Sequence, residues 1–203
     1  ELSPARIRSI ENEIATAFMI VLQMEIPYET VEEVCRLAAK YGTAVLLNVA
    51  PAREIESGLL KMIDILVVNQ TEIETLAKQS IVSVGEEAVM DTMLKMGPKT
   101  VILTLGRNGS LVKNAKVSRH IPAFQVDTVD STAAGDTFCG ALVARLTRGS
   151  DLLDAVKFAT AASALCVTKM GAQPSIPTED EVGQFLNKRV ALIDNGKIRK
   201  ARG

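Results

Sequence analysis

The stretch "VDSTAAGDTFCGAL", residues 129–142, places small residues directly before an acidic residue that opens a helix-like run. The first backbone N–H groups of a helix have no partner within the helix, and the helix dipole adds partial positive charge there. The side chains of Ala133, Ala134 and Gly135 are too small to keep an anion such as a phosphate away from these groups. Asp136 therefore holds a carboxylate beside a site that suits negative charge.

This arrangement suits phosphoryl transfer. Backbone N–H groups would stabilise the charge that develops on the transferred group, and Asp136 would accept the proton of an attacking hydroxyl. The alternative is structural, because an aspartate near a helix start commonly caps the helix. The spacing of the segment leaves both interpretations open.

The elements that must position this segment alternate between strands and helices. Apolar runs predict buried strands at "AFMIVLQM", "TAVLLNV", "IDILVVN" and "KTVILTLG". Amphipathic patterns predict helices at "LSPARIRSIENEIATA", "YETVEEVCRLAAKYG", "TEIETLAKQ" and "GEEAVMDTMLKMG". Continuous Val/Ile/Leu strands that alternate with helices indicate an α/β fold with a parallel sheet covered on both faces. In such sheets ligands bind beyond the carboxyl ends of the strands.

The pattern changes after Gly106. The short segments "GSLVKN", "AKVSRHIPA" and "FQVDTVD" predict antiparallel strands at one edge, which makes the sheet mixed. Three further helices are predicted from Asp136 to Arg148, from Asp151 to Met170 and from Thr178 to Lys188.

Composition limits the kinds of partner. The chain has 203 residues, 47% of them hydrophobic, and a net charge of −1, which favours one α/β domain over residues 1–203 and a small-molecule partner rather than nucleic acid or a membrane. The longest apolar run is too short to span a bilayer, so we expect a soluble, cytoplasmic protein. Three separated cysteines, Cys35, Cys139 and Cys166, indicate reduced thiols in the core.

Two other features have simple interpretations. His120, in "SRHIP", is expected on the surface of an edge hairpin rather than in catalysis. The basic tail "KIRKARG" is interpreted as a solvated end, because no aromatic residues are interleaved with its charges as in a nucleic-acid surface.

The segment "DSTAAGDTFCGAL" resembles the C-terminal signature of the ribokinase family, also called the phosphofructokinase-B family of sugar and nucleoside kinases. In the order of that family, "VVNQTEIETLA" resembles its Asn-x-x-Glu segment, "ILTLGRNGSLV" its nucleotide-cradling stretch and "VTKMGAQPSIP" its cation and adenine loop. With "QME" and "NVAPAR", the resemblance covers nearly the whole chain. It implies a three-layer α/β/α sandwich with a largely parallel central sheet and antiparallel edge strands.

The resemblance also implies a reaction, the ATP-dependent phosphorylation of ribose to ribose 5-phosphate. Asp136 would be the general base that deprotonates the primary hydroxyl of the sugar, and would form the anion hole together with Ala133, Ala134 and Gly135. Glu25 matches a family residue that holds sugar hydroxyls.

Nucleotide and cation contacts are implied at further positions. Glu72 would hold Mg²⁺ largely through water, which is reasonable because this hard cation keeps several of its waters. K⁺ would be bound by Asp130, Thr132, Gly171 and Ser175. The nucleotide would be contacted by Asn69, Thr104, Gly106, Arg107, Asn108, Gly109, Gly135, Asp136 and Thr160.

Two alternatives remain: a family kinase acting on fructose, another sugar or a nucleoside, and a non-catalytic nucleotide-binding module. The presence of both Asp136 and Glu72 argues against the second, since such a module needs neither a base nor a metal ligand. The family's N-terminal third, with its sugar-binding segment and β lid, has no counterpart here. We therefore expect a homodimeric kinase as the parent protein, but weak or no sugar kinase activity from this chain alone, and an exposed sheet edge.

Overall fold

The computed structural model describes residues 2–200 and the side chains of residues 2–189. The chain divides into two compact units, Glu1–Pro122 and Ala123–Gly203. The assignment of residues 1–203 to a single domain stays a prediction. The basic side chains of the tail "KIRKARG" lie outside the described residues, so its interpretation also stays a prediction.

The first unit contains a six-stranded sheet in the order β1-β2-β3-β4-β5-β6. Strands β1 to β4 are parallel, whereas β5 is antiparallel to both β4 and β6, as the sequence predicts. Buried aliphatic side chains occupy most positions of β2, β3 and β4, as is typical of central parallel strands. The strands are β1 Met19–Gln23, β2 Ala44–Asn48, β3 Ile65–Asn69, β4 Thr100–Thr104, β5 Ser110–Asn114 and β6 Ser118–Ile121.

Seven α-helices accompany this sheet within the described residues of the first unit. The single helix predicted over "LSPARIRSIENEIATA" is instead two short ones, because Ile10 between them leaves the helical conformation, with φ −116° and ψ 28°. The short helices α4 and α6 were not predicted. The helices are α1 Pro4–Arg8, α2 Glu11–Thr16, α3 Tyr28–Tyr41, α4 Ser57–Leu60, α5 Gln70–Ala77, α6 Ile81–Val84 and α7 Glu86–Met96.

The second unit is built from helices α8 Ala134–Thr147, α9 Leu152–Cys166 and α10 Glu179–Lys200. Helix α9 ends earlier than predicted, and α10 extends beyond Lys188 to Lys200. Ala161 and Ala162 of α9 pack with Val182 of α10 in the core of this unit. The strand predicted at "FQVDTVD" is wrong: these residues form no strand, because no neighbouring strand offers them a ladder of hydrogen bonds among the described residues.

The three cysteines are free and buried, as predicted. Burial raises the pKa of the Cys35 thiol to about 12, so that thiol is chemically inert. Among the residues described, no helix is long and apolar enough to cross a bilayer.

Candidate active site

Helix α8 begins at a left-handed residue. Ala133, directly before the helix, has φ 61° and ψ 11°. The Ala134 N–H donates to the Ser131 carbonyl at 3.2 Å, and the Thr137 N–H donates to the Ala133 carbonyl at 2.9 Å. Among the described residues no acceptor is assigned to the Gly135 N–H, which lies between these two. The helix start therefore presents a donor to an anion, with the exposed Asp136 in the same turn.

The loop before α8 is held by the carboxylate of Asp130. Its Oδ1 atom accepts from the Thr132 hydroxyl at 2.7 Å and from the Thr132 N–H at 2.9 Å, and its Oδ2 atom accepts from the Gly171 N–H at 2.9 Å. These hydrogen bonds, those from Thr132 foremost, hold the pKa of Asp130 below its ordinary value. An ionised Asp130 thus ties the loop before α8 to the loop after α9.

Ser175 completes this loop cluster. Its buried hydroxyl donates to the Ala172 carbonyl at 2.6 Å and lies 3.1 Å from the Cys166 sulfur. Cys166 in turn lies 3.7 Å from the carbonyl oxygen of Thr132. The structure thus gathers all four residues predicted for K⁺. A carboxylate, hydroxyls and carbonyls are the oxygen donors that a hard cation prefers, so the cluster fits such an ion.

In the first unit, the predicted residues lie beyond the carboxyl ends of parallel strands. Glu25 is exposed two residues after β1. Asn69 and Thr104 end β3 and β4 and are partners in the register of these neighbouring strands. The Thr104 hydroxyl donates to the Val68 carbonyl at 3.3 Å. The strand ends therefore bring these polar groups to one edge of the sheet, where ligands of α/β proteins bind.

Glu72 and Asn69 form a capping box at the start of α5. The Glu72 N–H donates to Asn69 Oδ1 at 2.9 Å, while Glu72 Oε2 accepts from the Asn69 N–H at 2.7 Å and Glu72 Oε1 from Asn69 Nδ2 at 2.8 Å. Burial raises the pKa of Glu72, although the Asn69 N–H opposes this. Each carboxylate oxygen keeps a second lone pair, which fits a contact with Mg²⁺ through water.

A direct metal cage has no support in the part of the chain that the structure describes, since no group of three or more His, Cys, Asp or Glu side chains there could hold an ion. A contact of Glu72 with Mg²⁺ through water stays a prediction.

The predicted nucleotide-binding segment is a 3₁₀ helix, Gly106–Asn108, between β4 and β5. Gly106 and Gly109 have φ of 55° and 93°, a region that favours glycine, and Arg107 is exposed. His120 lies exposed on edge strand β6, as predicted. Its Nε2 atom lies 2.7 Å from the Asn108 carbonyl, so that nitrogen carries the proton and braces the turn. Sequence reasoning missed this contact.

Thr160 is the predicted site residue that the structure does not place in these loops. It lies buried within α9, and its hydroxyl donates to the Val156 carbonyl of the same helix at 2.8 Å. A nucleotide contact of Thr160 stays a prediction. Sequence reasoning also missed two other residues of α9: Ser163 donates to the Ala134 carbonyl at 3.0 Å, and Cys166 contacts Thr132. Their three-residue spacing indicates that they share one face of α9, but not which residues that face contacts.

Residues 3–179 match the family described as pfkB family carbohydrate kinase. A ribokinase of Staphylococcus aureus is 40% identical over 187 residues, which cover 90% of this chain and 61% of the relative. The chain thus spans about three fifths of the length of the curated relatives it matches.

Solved structures agree with this match. A ribokinase of Thermotoga maritima is 38% identical with a TM-score of 0.84, over 92% of this chain and 62% of the other. An Arabidopsis thaliana ribokinase complexed with ribose and ATP is 30% identical with a TM-score of 0.83, over 88% of this chain and 58% of the other. These similarities confirm the predicted fold class, the ribokinase-like α/β/α sandwich with a mostly parallel sheet and antiparallel edge strands.

Proposed function

The chain belongs to the pfkB family of carbohydrate kinases, and on that premise we propose that it carries the phosphoryl-transfer centre of an ATP-dependent kinase that converts ribose to ribose 5-phosphate. The start of α8 carries this proposal: left-handed Ala133, the Gly135 N–H and exposed Asp136 lie within one turn. The names of the bacterial relatives support ribose as the substrate, and so does the ribose and ATP complex of the Arabidopsis protein.

In this proposal the Asp136 carboxylate takes the proton from the primary hydroxyl of the sugar. The hydroxyl oxygen then bonds to the γ-phosphorus of ATP, while the bond from that phosphorus to the bridging oxygen breaks and ADP leaves. Backbone N–H groups of residues 133–136, aided by the dipole of α8, stabilise the charge on the transferred group. Glu25 would hold sugar hydroxyls.

Other residues bind the nucleotide and the cations. Mg²⁺, when bound, would neutralise charge on the phosphates, and Glu72 would hold its waters while Asn69 fixes the Glu72 carboxylate. The cluster around ionised Asp130 would hold K⁺ and brace the loop before α8. The small residues Gly106 and Gly109 would let the backbone approach the nucleotide, with Thr104, Arg107 and Asn108 beside them.

The family resemblance also favours a homodimeric, cytoplasmic enzyme for the whole protein.

Because we expect weak or no turnover from residues 1–203 alone, the kinetic tests use a protein in which an N-terminal sugar-binding segment and lid of the family precede these residues. The test is ADP formation by this protein with ATP, Mg²⁺ and K⁺, with and without ribose, and with fructose, deoxyribose and a nucleoside in place of ribose. Asp136→Asn is expected to lower ribose-dependent turnover by about 10³-fold, because the amide cannot accept the proton. Asp151 is a matched control, since it also stands at a helix start but caps α9 by accepting from the Asp154 N–H. Asp151→Asn should leave turnover unchanged. Retention of turnover in Asp136→Asn, or a preference for another acceptor, would overturn the proposal.

A further inference from the structure

We propose that Ser163 and Cys166 are positioning residues that aim the N–H groups of the anion hole. This inference rests on the function proposed above. Both residues lie on α9 with three-residue spacing, so they share one face of that helix. The Ser163 hydroxyl donates to the Ala134 carbonyl at 3.0 Å, and the Cys166 sulfur lies 3.7 Å from the Thr132 carbonyl.

The planarity of the peptide bond links these contacts to the anion hole. The carbonyl of Ala134 and the N–H of Gly135 belong to one rigid peptide plane and point in opposite directions. A side chain that fixes the Ala134 carbonyl therefore also fixes the direction of the Gly135 N–H. In the same way, Cys166 acts through the Thr132 carbonyl on the N–H of Ala133. Each α9 side chain thus sets the plane of a peptide whose other end is a predicted donor to phosphate.

The two contacts also polarise the donors. A hydrogen bond accepted by a carbonyl strengthens the N–H at the other end of the same peptide, by about 10–30% for each bond. The effect matters most in the transition state, when negative charge on the transferred group is greatest. Ser163 and Cys166 should therefore affect kcat more than substrate binding.

The backbone between the two carbonyls needs such support. Ala133 lies between Thr132 and Ala134 and holds a left-handed conformation, which alanine does not favour. The strain is maintained only if neighbouring contacts hold the backbone on either side of this residue. Helix α9 supplies one contact on each side of Ala133.

The hydroxyls of neighbouring threonines do not share this role. Thr160 donates to Val156 of its own helix, and Thr168, just after α9, donates to Leu165. Thr168 offers a matched control, because Thr168→Ala removes a hydroxyl close to Cys166 without removing a contact to the loop before α8.

The first test is steady-state kinetics of ribose-dependent ADP formation. Ser163→Ala should lower kcat about tenfold, less than the loss of a whole oxyanion donor, because the Gly135 N–H remains but is less well aimed. KM for ATP and for ribose should stay within about twofold. Ser163→Thr, which keeps the hydroxyl, should retain most of the wild-type kcat. Cys166→Ala should lower kcat about threefold, since a thiol is a weak donor. Thr168→Ala should match the wild type.

A second test separates this inference from the proposed reaction. The Gly135 and Ala133 amide signals are followed by ¹H–¹⁵N NMR while inorganic phosphate is added. In the wild type the Gly135 signal should move downfield. In Ser163→Ala the phosphate-induced shift of the Gly135 signal should fall by about half or more, while the shift of the Ala133 signal persists. In Cys166→Ala the shift of the Ala133 signal should fall, while that of the Gly135 signal persists.

Each outcome has a distinct meaning. If the wild type forms no ADP but its Gly135 signal responds to phosphate, the proposed reaction fails, and the positioning role is decided by the response of Ser163→Ala. If Ser163→Ala keeps the wild-type kcat and the wild-type Gly135 response, the positioning role is wrong even though the reaction stands. If neither ADP formation nor a phosphate response is seen in the wild type, both proposals fall.

Discussion

Ala133 is the residue on which the geometry of the α8 start depends most directly. Its φ of 61° is accessible to a small side chain, but a β-branched one meets its own backbone there. We expect Ala133→Val to lower the free energy of unfolding by about 1–2 kcal/mol and to lower ribose-dependent turnover, because the strained residue would relax and turn the adjoining peptides.

Urea denaturation and the ADP assay would measure the two effects of Ala133→Val. The matched variant Ala133→Gly accepts the same φ without strain and should keep both stability and turnover near those of the wild type. A stable, fully active valine variant would show that the left-handed residue is not needed.

Glu72 combines a structural and a proposed chemical role, and the two can be separated. Glutamine also suits the third position of a capping box, and its one acceptor oxygen can keep the bond from the Asn69 N–H. The bond from Asn69 Nδ2 is lost, but Asn69 is exposed and water can replace it, so Glu72→Gln should change the free energy of unfolding at pH 7 by no more than about 0.5 kcal/mol. The same change should raise the Mg²⁺ concentration needed for half-maximal turnover by about tenfold, because a neutral amide attracts the waters of the ion less strongly. Asn69→Ala is the contrasting variant, since it removes the cap and should cost about 1 kcal/mol of stability.

The pKa of Glu72 predicts how this comparison depends on pH. Burial raises the pKa, so ionised Glu72 is disfavoured in the folded state. This penalty is absent below the unfolded pKa and becomes complete as the pH rises through the raised folded pKa. The wild type should therefore lose stability relative to Glu72→Gln as the pH increases across that range. Urea denaturation at several pH values would measure this difference in the free energy of unfolding between the wild type and Glu72→Gln. A wild type that gains stability relative to the variant as the pH increases would contradict the role of burial.

At the scale of elements, the strands and most helices could be predicted because their apolar periodicity is local. The segment "FQVDTVD" could not, since its alternating residues suit a strand but the fold offers them no strand partner. The same limit applies to the site. The start of α8 and the capping box are encoded by neighbouring residues, whereas the contact from Ser163 to Ala134 joins positions 29 residues apart. Only the packing of α8 against α9 brings those positions together.

Gly97, at the end of α7, packs so closely against Lys61, directly after α4, that only glycine fits at this position. Gly97 has φ 140°, and a Cβ atom there would lie 2.7 Å from the Lys61 Cα and backbone N atoms. Gly97→Ala should therefore lower the free energy of unfolding by about 2–3 kcal/mol, because both the backbone and its neighbour must shift. Gly42→Ala is the matched control: its φ is 73°, but no atom lies within 4 Å of the added Cβ. It should cost about 1 kcal/mol. Equal losses in the two variants would show that the contact with Lys61 is unimportant.

At the scale of the whole molecule, the two edges of the sheet differ in their chemistry. Edge strand β6 exposes Ser118, Arg119 and His120, and such polar and charged side chains discourage pairing with other chains. Edge strand β1 has no charged residue, and the exposed fractions of Val21 and of the preceding Phe18 are 45% and 60%. Among the described residues β1 pairs with β2 and with no other strand. The β1 edge therefore has the features of a surface that associates.

We expect residues 1–203 to self-associate in solution through β1, and Val21→Lys to prevent it, because a lysine on the edge strand opposes pairing with a second copy. Sedimentation velocity should show a weight-average mass that rises with concentration up to about 100 µM for the wild type and stays at the monomer value for the variant. Val82→Lys is the matched control, since Val82 is 95% exposed and belongs to helix α6 rather than to a strand. This control should associate as the wild type does. If both lysine variants weaken association equally, exposed hydrophobic surface in general, rather than the open edge of β1, drives self-association. A wild type that stays monomeric would show that the chain does not self-associate.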